Sequence, residues 1–243
     1  MRQSIRRWVL AAGIAGLAAP ALAQTLVVAA LKTPGGVDGD ALKPGTQNAV
    51  TQVYEGLTAY ARTVDADGVG RLDFTRVVPH LAEGWTVTPD GRTYVFTLRK
   101  GVRSIFGNEL TAADVVWGWE KSIAQKRTGQ FIASVTGVER IEALDTHVVR
   151  FTLRAPSMVF LHLITNYVPA IYDSTEVKKH ATAEDPWALR WIDANTAGFG
   201  PYHMESVRQG EQAIFVANPN YFGGVPHYKR VVYREIPSGA ARY

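Results

Sequence analysis

The chain has 243 residues, 47% of them hydrophobic, and a formal charge of +4 without any cysteine. That composition is ordinary for a globular protein, and the missing cysteines exclude disulfides, thiolate metal sites and cysteine nucleophiles. Basic and acidic residues nearly balance once Arg2, Arg6 and Arg7 are set aside, so no field or basic patch points to nucleic acid.

Those three arginines precede an apolar run over residues 8–19, followed by Pro20 and the small-residue site Ala21-Leu22-Ala23. The pattern is that of a secretory signal peptide cleaved after Ala23, which leaves Gln24 first and the mature protein in the periplasm. The run is shorter than the roughly 20 residues a bilayer span requires. The surroundings of Arg6-Arg7 fit general secretion better than twin-arginine export.

The run Thr-Leu-Val-Val-Ala-Ala at 25–30 suggests a strand buried on both faces. Residues 32–45, rich in Gly and Pro, read as a loop. Residues 46–60 place Val50, Val53, Tyr54 and Leu57 at helical spacing, and residues 62–76 read as an exposed polar loop. Two hairpins follow. One joins residues 85–87 to 93–98 through Thr88-Pro89-Asp90-Gly91, whose proline and glycine suit a tight turn. The other joins 138–144 to 148–153. Between them a helix starts near Thr111, capped by Thr111 and Asp114, with Val115, Val116, Trp119 and Ile123 on its apolar side. Beyond Pro156 come a short helical stretch, an apolar piece at 168–171 and a tryptophan-bearing helix near 186–192. A third hairpin then pairs 202–207 with 213–217 around Gln209-Gly210. A last strand covers 231–236. Ser238 would start a further helix that the chain does not complete, which predicts an incomplete polypeptide.

No phosphate-binding glycine loop, nucleophile elbow or zinc-spaced histidine pair is present. The histidines, His80, His147, His162, His180, His203 and His227, read as ordinary surface or core residues. Nothing in the pattern calls for a cofactor, a metal or a catalytic residue.

Five segments in order resemble the fifth family of extracellular solute-binding proteins, which includes dipeptide- and oligopeptide-binding components of ABC importers. They are Val53-Tyr54-Glu55-Gly56-Leu57, Leu81-Ala82-Glu83-Gly84-Trp85, the stretch 89–102 continued by Leu110-Thr111-Ala112-Ala113-Asp114-Val115-Val116, Gly198-Phe199-Gly200-Pro201-Tyr202, and Asn218-Pro219-Asn220-Tyr221-Phe222-Gly223-Gly224. Two departures stand out: Ser104-Ile105-Phe106-Gly107 replaces a common Phe-His-Asp-Gly, and Phe199 replaces a common threonine.

The resemblance implies a mixed α/β, periplasmic-binding-protein-like first lobe whose second lobe is missing. Residues 24–53 and 172–243 would form its mixed sheet, and residues 54–171 an inserted α+β subdomain. It implies a monomer that closes on a peptide or similar small solute and docks on an inner-membrane permease with its ATPase subunits, and no enzymatic activity. By resemblance Lys43, Pro44, Gly45 and Thr46 approach the ligand backbone, Phe131 offers an aromatic wall, and Phe199 sits near the cleft. The charged anchor for a peptide amino terminus would belong to the missing lobe. A truncated remnant that binds nothing and a secreted enzyme are the alternatives.

Overall fold

The computed structural model describes residues 25–41, 43, 45–165 and 169–242; the predicted leader over residues 1–23, Gln24, Pro44, Val168 and Tyr243 lie outside them. Strand β1 (Thr25–Ala30) leads through a long loop to a short helix, α1 (Thr46–Val50). A two-stranded hairpin follows, β2 (Thr58–Val64) and β3 (Gly70–Pro79), then β4 (Ala82–Val87) and β5 (Thr93–Leu98). Helices α2 (Ala112–Ala124) and α3 (Thr128–Thr136) precede β6 (Val138–Asp145) and β7 (Val148–Leu153). Three short helices, α4 (Phe160–Leu163), α5 (Ser174–Val177) and α6 (Leu189–Ile192), lead to β8 (Tyr202–Arg208), β9 (Gln212–Ala217) and β10 (Arg230–Glu235).

The strands form three sheets. One is mixed, in the order β1-β10-β9-β8, with β1 parallel to β10 and the other pairs antiparallel. The second is antiparallel, in the order β4-β5-β7-β6, and the third is the β2-β3 ribbon. The fold class is mixed α/β, as expected.

Three expectations need correction. Strand β1 is an edge strand, not one buried on both faces, and its Val27 is 56% exposed. The helix expected over 46–60 stops at Val50. Val53, Tyr54 and Leu57 are buried, but distant partners take up the Val53 and Leu57 carbonyls. Val53 O accepts Gly200 N (2.9 Å), and Leu57 O accepts His80 N (3.1 Å) and Ala82 N (3.0 Å). Tertiary bonding overrides the local periodicity. Finally, residues 62–76 are largely paired, in β2 and β3. Asp65 makes their turn by accepting Asp67 N and Val69 N, with Gly68 at φ 78°, an Asp-x-x-Gly turn of the kind that closes hairpins.

Helix α2 starts as its sequence indicates: Asp114 Oδ2 accepts the Thr111 backbone N–H at 2.8 Å. It is buried on two sides, however. Val115 and Trp119 belong to the core built on the antiparallel sheet, with Phe96, Phe151 and Phe160. Trp117 belongs to the core under the mixed sheet, with Tyr54, Tyr172 and Phe215. Successive helical residues differ by about 100°, so Trp117 and Trp119 diverge by about 200° and serve opposite cores. Gly118 lets the helix approach the chain crossing beneath it, since a Cβ there would lie 2.4 Å from Ala170 O.

The β4-β5 turn shows why its glycine is needed. Gly91 has φ +67°, and a Cβ would stand 3.1 Å from Pro156 Cβ. Gly91→Val forces a β-branched residue into the left-handed region, at a cost of about 1–2 kcal/mol. Urea unfolding is expected to show that loss with no change in ligand preference; a changed preference at unchanged stability would make the turn functional.

Candidate functional site

The loop from β1 to α1 is fastened along its length. Glu235 Oε2 accepts both the backbone N–H and the hydroxyl of Thr33 at 2.7 Å. Val37 N donates to Asp193 O at 2.9 Å. Lys43 Nζ donates to both carboxylate oxygens of Asp193 at 2.6 Å, and Thr46 Oγ1 donates to Gly36 O at 2.6 Å. Gly45 has φ +78°, and a Cβ there would lie 2.6 Å from Thr33 O, so the bend admits no side chain.

Behind the loop is a buried polar cluster. Lys121, on α2, has no solvent exposure. Its Nζ donates to Asp38 Oδ1 (2.7 Å), Asp40 Oδ2 (3.1 Å) and Tyr172 Oη (2.9 Å). Tyr172 Oη donates in turn to Asp38 Oδ1 at 2.5 Å, and Asp40 Oδ1 accepts Ala170 N at 3.1 Å. Burial raises the Asp40 pKa; Lys121 opposes the rise and Asp38 adds to it. Burial, with the Asp38 and Asp40 charges behind it, holds Tyr172 well above the usual phenol range. Two carboxyls share one ammonium in the cluster, and the rise at Asp40 comes first from its burial, with Lys121 opposing it more than Asp38 adds to it.

In front of the loop run two cavities. One, of about 340 Å³, is lined by Asp40, Ala41, Lys126, Arg127, Thr128 and Phe131. The other, of about 230 Å³, is lined by Asp38, Ala41, Lys43, Arg127, Leu189, Arg190 and Asp193. Ala41 and Arg127 line both, so they form one groove from Phe131 to Asp193. The turn between α2 and α3 closes one side of it, with Lys126 at φ +52°. That conformation is uncommon for a residue other than glycine.

The structure separates the expected site residues. Lys43 and Phe131 line the groove, and Phe131 is 61% exposed, so it is not a core residue. Gly45 and Thr46 shape the loop from behind. Pro44 lies outside the described residues. Phe199 is a correction: it is 1% exposed and packs in the core of the antiparallel sheet with Leu57 and Leu81. Its neighbours Gly198 and Gly200 press on the Val53 carbonyl, from which a Cβ on either would lie 2.2 or 2.6 Å away. That docking turns the intervening side chain inward.

Sequence reasoning missed Asp38, Asp40, Lys121, Tyr172, Arg127 and Asp193. One signal was available: Asp114, Trp117, Gly118 and Lys121 fall at i, i+3, i+4 and i+7 and mark a second buried face. Among the described residues no group of three or more His, Cys, Asp or Glu side chains could hold a metal ion. No helix among them is long and apolar enough to cross a membrane.

The chain is 33% identical over 185 residues to the probable D,D-dipeptide-binding periplasmic protein DdpA of Escherichia coli (strain K12), a match covering 76% of this chain and 35% of that protein. It is 27% identical over 247 residues to the dipeptide-binding protein of the same organism, covering 93% of this chain and 44% of that one. In structure it resembles the ABC transporter-associated periplasmic binding protein DppA from Helicobacter pylori, solved in complex with the peptide STSA. The TM-score is 0.74 at 24% identity, over 90% of this chain and 44% of that chain. The chain thus spans less than half the length of these relatives. Residues 76–243 match the bacterial extracellular solute-binding proteins, family 5 (Middle), and the chain belongs to that family.

Proposed function

We propose that these residues are the first lobe of an extracytoplasmic solute-binding component of an ABC importer that takes peptides or similar small solutes. Residues 24–53 and 172–243 form its frame and 54–171 its inserted subdomain, with secretion to the periplasm by a signal peptide cleaved after Ala23. The groove between the 38–46 loop and the α2–α3 turn carries the reading. It presents an exposed aromatic ring, a fastened backbone loop and a rim of charged side chains. Such a surface suits a solute held by its backbone and tolerated in its side chains. Lys43, Pro44, Gly45, Thr46 and Phe131 are the proposed contacts. Two lobes closing on the solute would present one combined surface to the permease and its ATPase subunits.

With one lobe, contact is halved. Dipeptides are expected to bind the 243-residue chain weakly, with dissociation constants of about 1 mM, near −4 kcal/mol. NMR titration should perturb the amides of Lys43, Thr46 and Phe131. Calorimetric binding in the nanomolar range, or saturable perturbations confined to another surface, would show the site to be misplaced.

A further inference from the structure

The charges that line the groove are unevenly matched. Lys43 is held by both carboxylate oxygens of Asp193 at 2.6 Å, and Arg190 stands 3.6 Å from Asp185. Asp38 and Asp40 are closed in by the Lys121 ammonium, their side chains 7% and 0% exposed. Lys126 and Arg127 differ from all of these. Both are exposed, and among the described residues neither side chain has an ion pair or a hydrogen bond. Arg127 lines both cavities of the groove, and Lys126 lines the larger one. Their backbone is fixed: Lys126 N donates to Ile123 O at 2.9 Å and Arg127 N to Ser122 O at 2.8 Å. Gly129 N donates to Ser122 Oγ at 2.8 Å, and a Cβ on Gly129 would lie 2.7 Å from Ser122 Cβ, so the turn sits tightly on the end of α2.

The turn thus keeps a lysine at φ +52° and sets two like charges side by side. Neither arrangement is favourable by itself, and backbone strain of this kind gathers at ligand sites, where the surrounding structure holds it in place. A preorganised turn also spares a ligand the entropy of ordering it. The charge balance selects the ligand. Two free cations face at most one uncompensated buried acid, so a monoanion matches the remainder, whereas a dianion would meet the acid behind it. A guanidinium presents a planar fork that fits the two oxygens of a carboxylate. We propose that the α2–α3 turn is a carboxylate subsite, with Arg127 as its anchor and Lys126 beside it, and that the groove therefore selects solutes with a free carboxylate. The proposal rests on the reading of the groove as the solute site.

The test is NMR titration of the 243-residue chain with dialanine, dialanine amide and propionate at constant ionic strength, following the amides of Lys43, Arg127 and Phe131. Dialanine amide is expected to bind about tenfold more weakly than dialanine, the loss of one charge-assisted pair. Arg127→Gln should weaken dialanine by about tenfold and leave the amide no weaker. The Arg127 side chain has no partner to lose, so the variant should fold, and Arg127→Lys, which keeps the charge without the fork, should recover part of the affinity. A propionate effect at Arg127 equal to that of dialanine would support the subsite and make its occupant any small carboxylic acid. A weaker propionate effect would assign it to a peptide terminus. Equal affinities of dialanine and its amide within the groove, or dialanine binding unchanged in Arg127→Gln, would overturn the proposal and leave the groove as the solute site. Perturbations confined to another surface, or none from any of the three compounds, would remove both.

Discussion

Lys121→Met is expected to destabilise the chain by about 3–5 kcal/mol near neutral pH, a fall in Tm of roughly 10 °C. The methionine fits the space, but it leaves Asp38 and Asp40 buried without their shared ammonium. The loss should depend on pH, and its sign follows from Asp40. Burial raises its pKa, and Lys121 is the first influence pulling it back; without the lysine the pKa rises further. A carboxyl with a raised folded pKa contributes stability that is complete below the unfolded value, about 3.9, and is lost as pH climbs through the folded one. The variant should therefore lie closest to the wild type near pH 4 and fall away as pH rises. Melting curves at pH 4 and pH 8 decide the matter. An equal deficit at both would mean that the lysine matters for packing and not for charge.

Phe199→Thr restores the residue common in the resembled motif and is nevertheless expected to cost about 3–4 kcal/mol. Phe199 lies in a packed cluster with Leu57 and Leu81, and large-to-small changes in such a place lose both transfer energy and the cavity they leave. Threonine also brings a hydroxyl with no evident partner. The backbone around it should hold, since Gly200 N still donates to Val53 O and Asn218 N to Pro201 O. Urea unfolding should thus show a lower midpoint at an unchanged slope, with peptide affinity unaffected. Undiminished stability joined to altered affinity would return Phe199 to the site.

Much of this architecture is legible in the chain because its turns are locally written. Thr88-Pro89-Asp90-Gly91 and Gln209-Gly210 place the turn-side ends of two hairpins within a residue of those observed, though β4 begins three residues before the expected 85, and Thr111 with Asp114 marks the start of α2. Errors arise where distant backbone decides. The apolar spacing of Val50, Val53, Tyr54 and Leu57 is genuine, and all four are buried, but the helix stops at Val50 and the Gln52 and Val53 carbonyls beyond it accept Tyr202 N and Gly200 N from the distant 198–202 segment. The groove was half visible. Of the residues expected from the resembled pattern, Phe131 and Lys43 line it, whereas Asp38, Asp40, Lys121 and Tyr172 come from three separate stretches and meet only in the folded chain.

The mixed sheet has a consequence for the order of events on the ribosome. β1 emerges first, yet among the described strands its only neighbour is β10, and the Thr33–Glu235 contact beside it joins residues 202 positions apart. Closing so long a loop is entropically slow. The hairpins of the antiparallel sheet can pair as soon as they are made, but β1 has to wait, its edge toward β10 unoccupied, until residues 230–235 have been synthesised about 200 positions later.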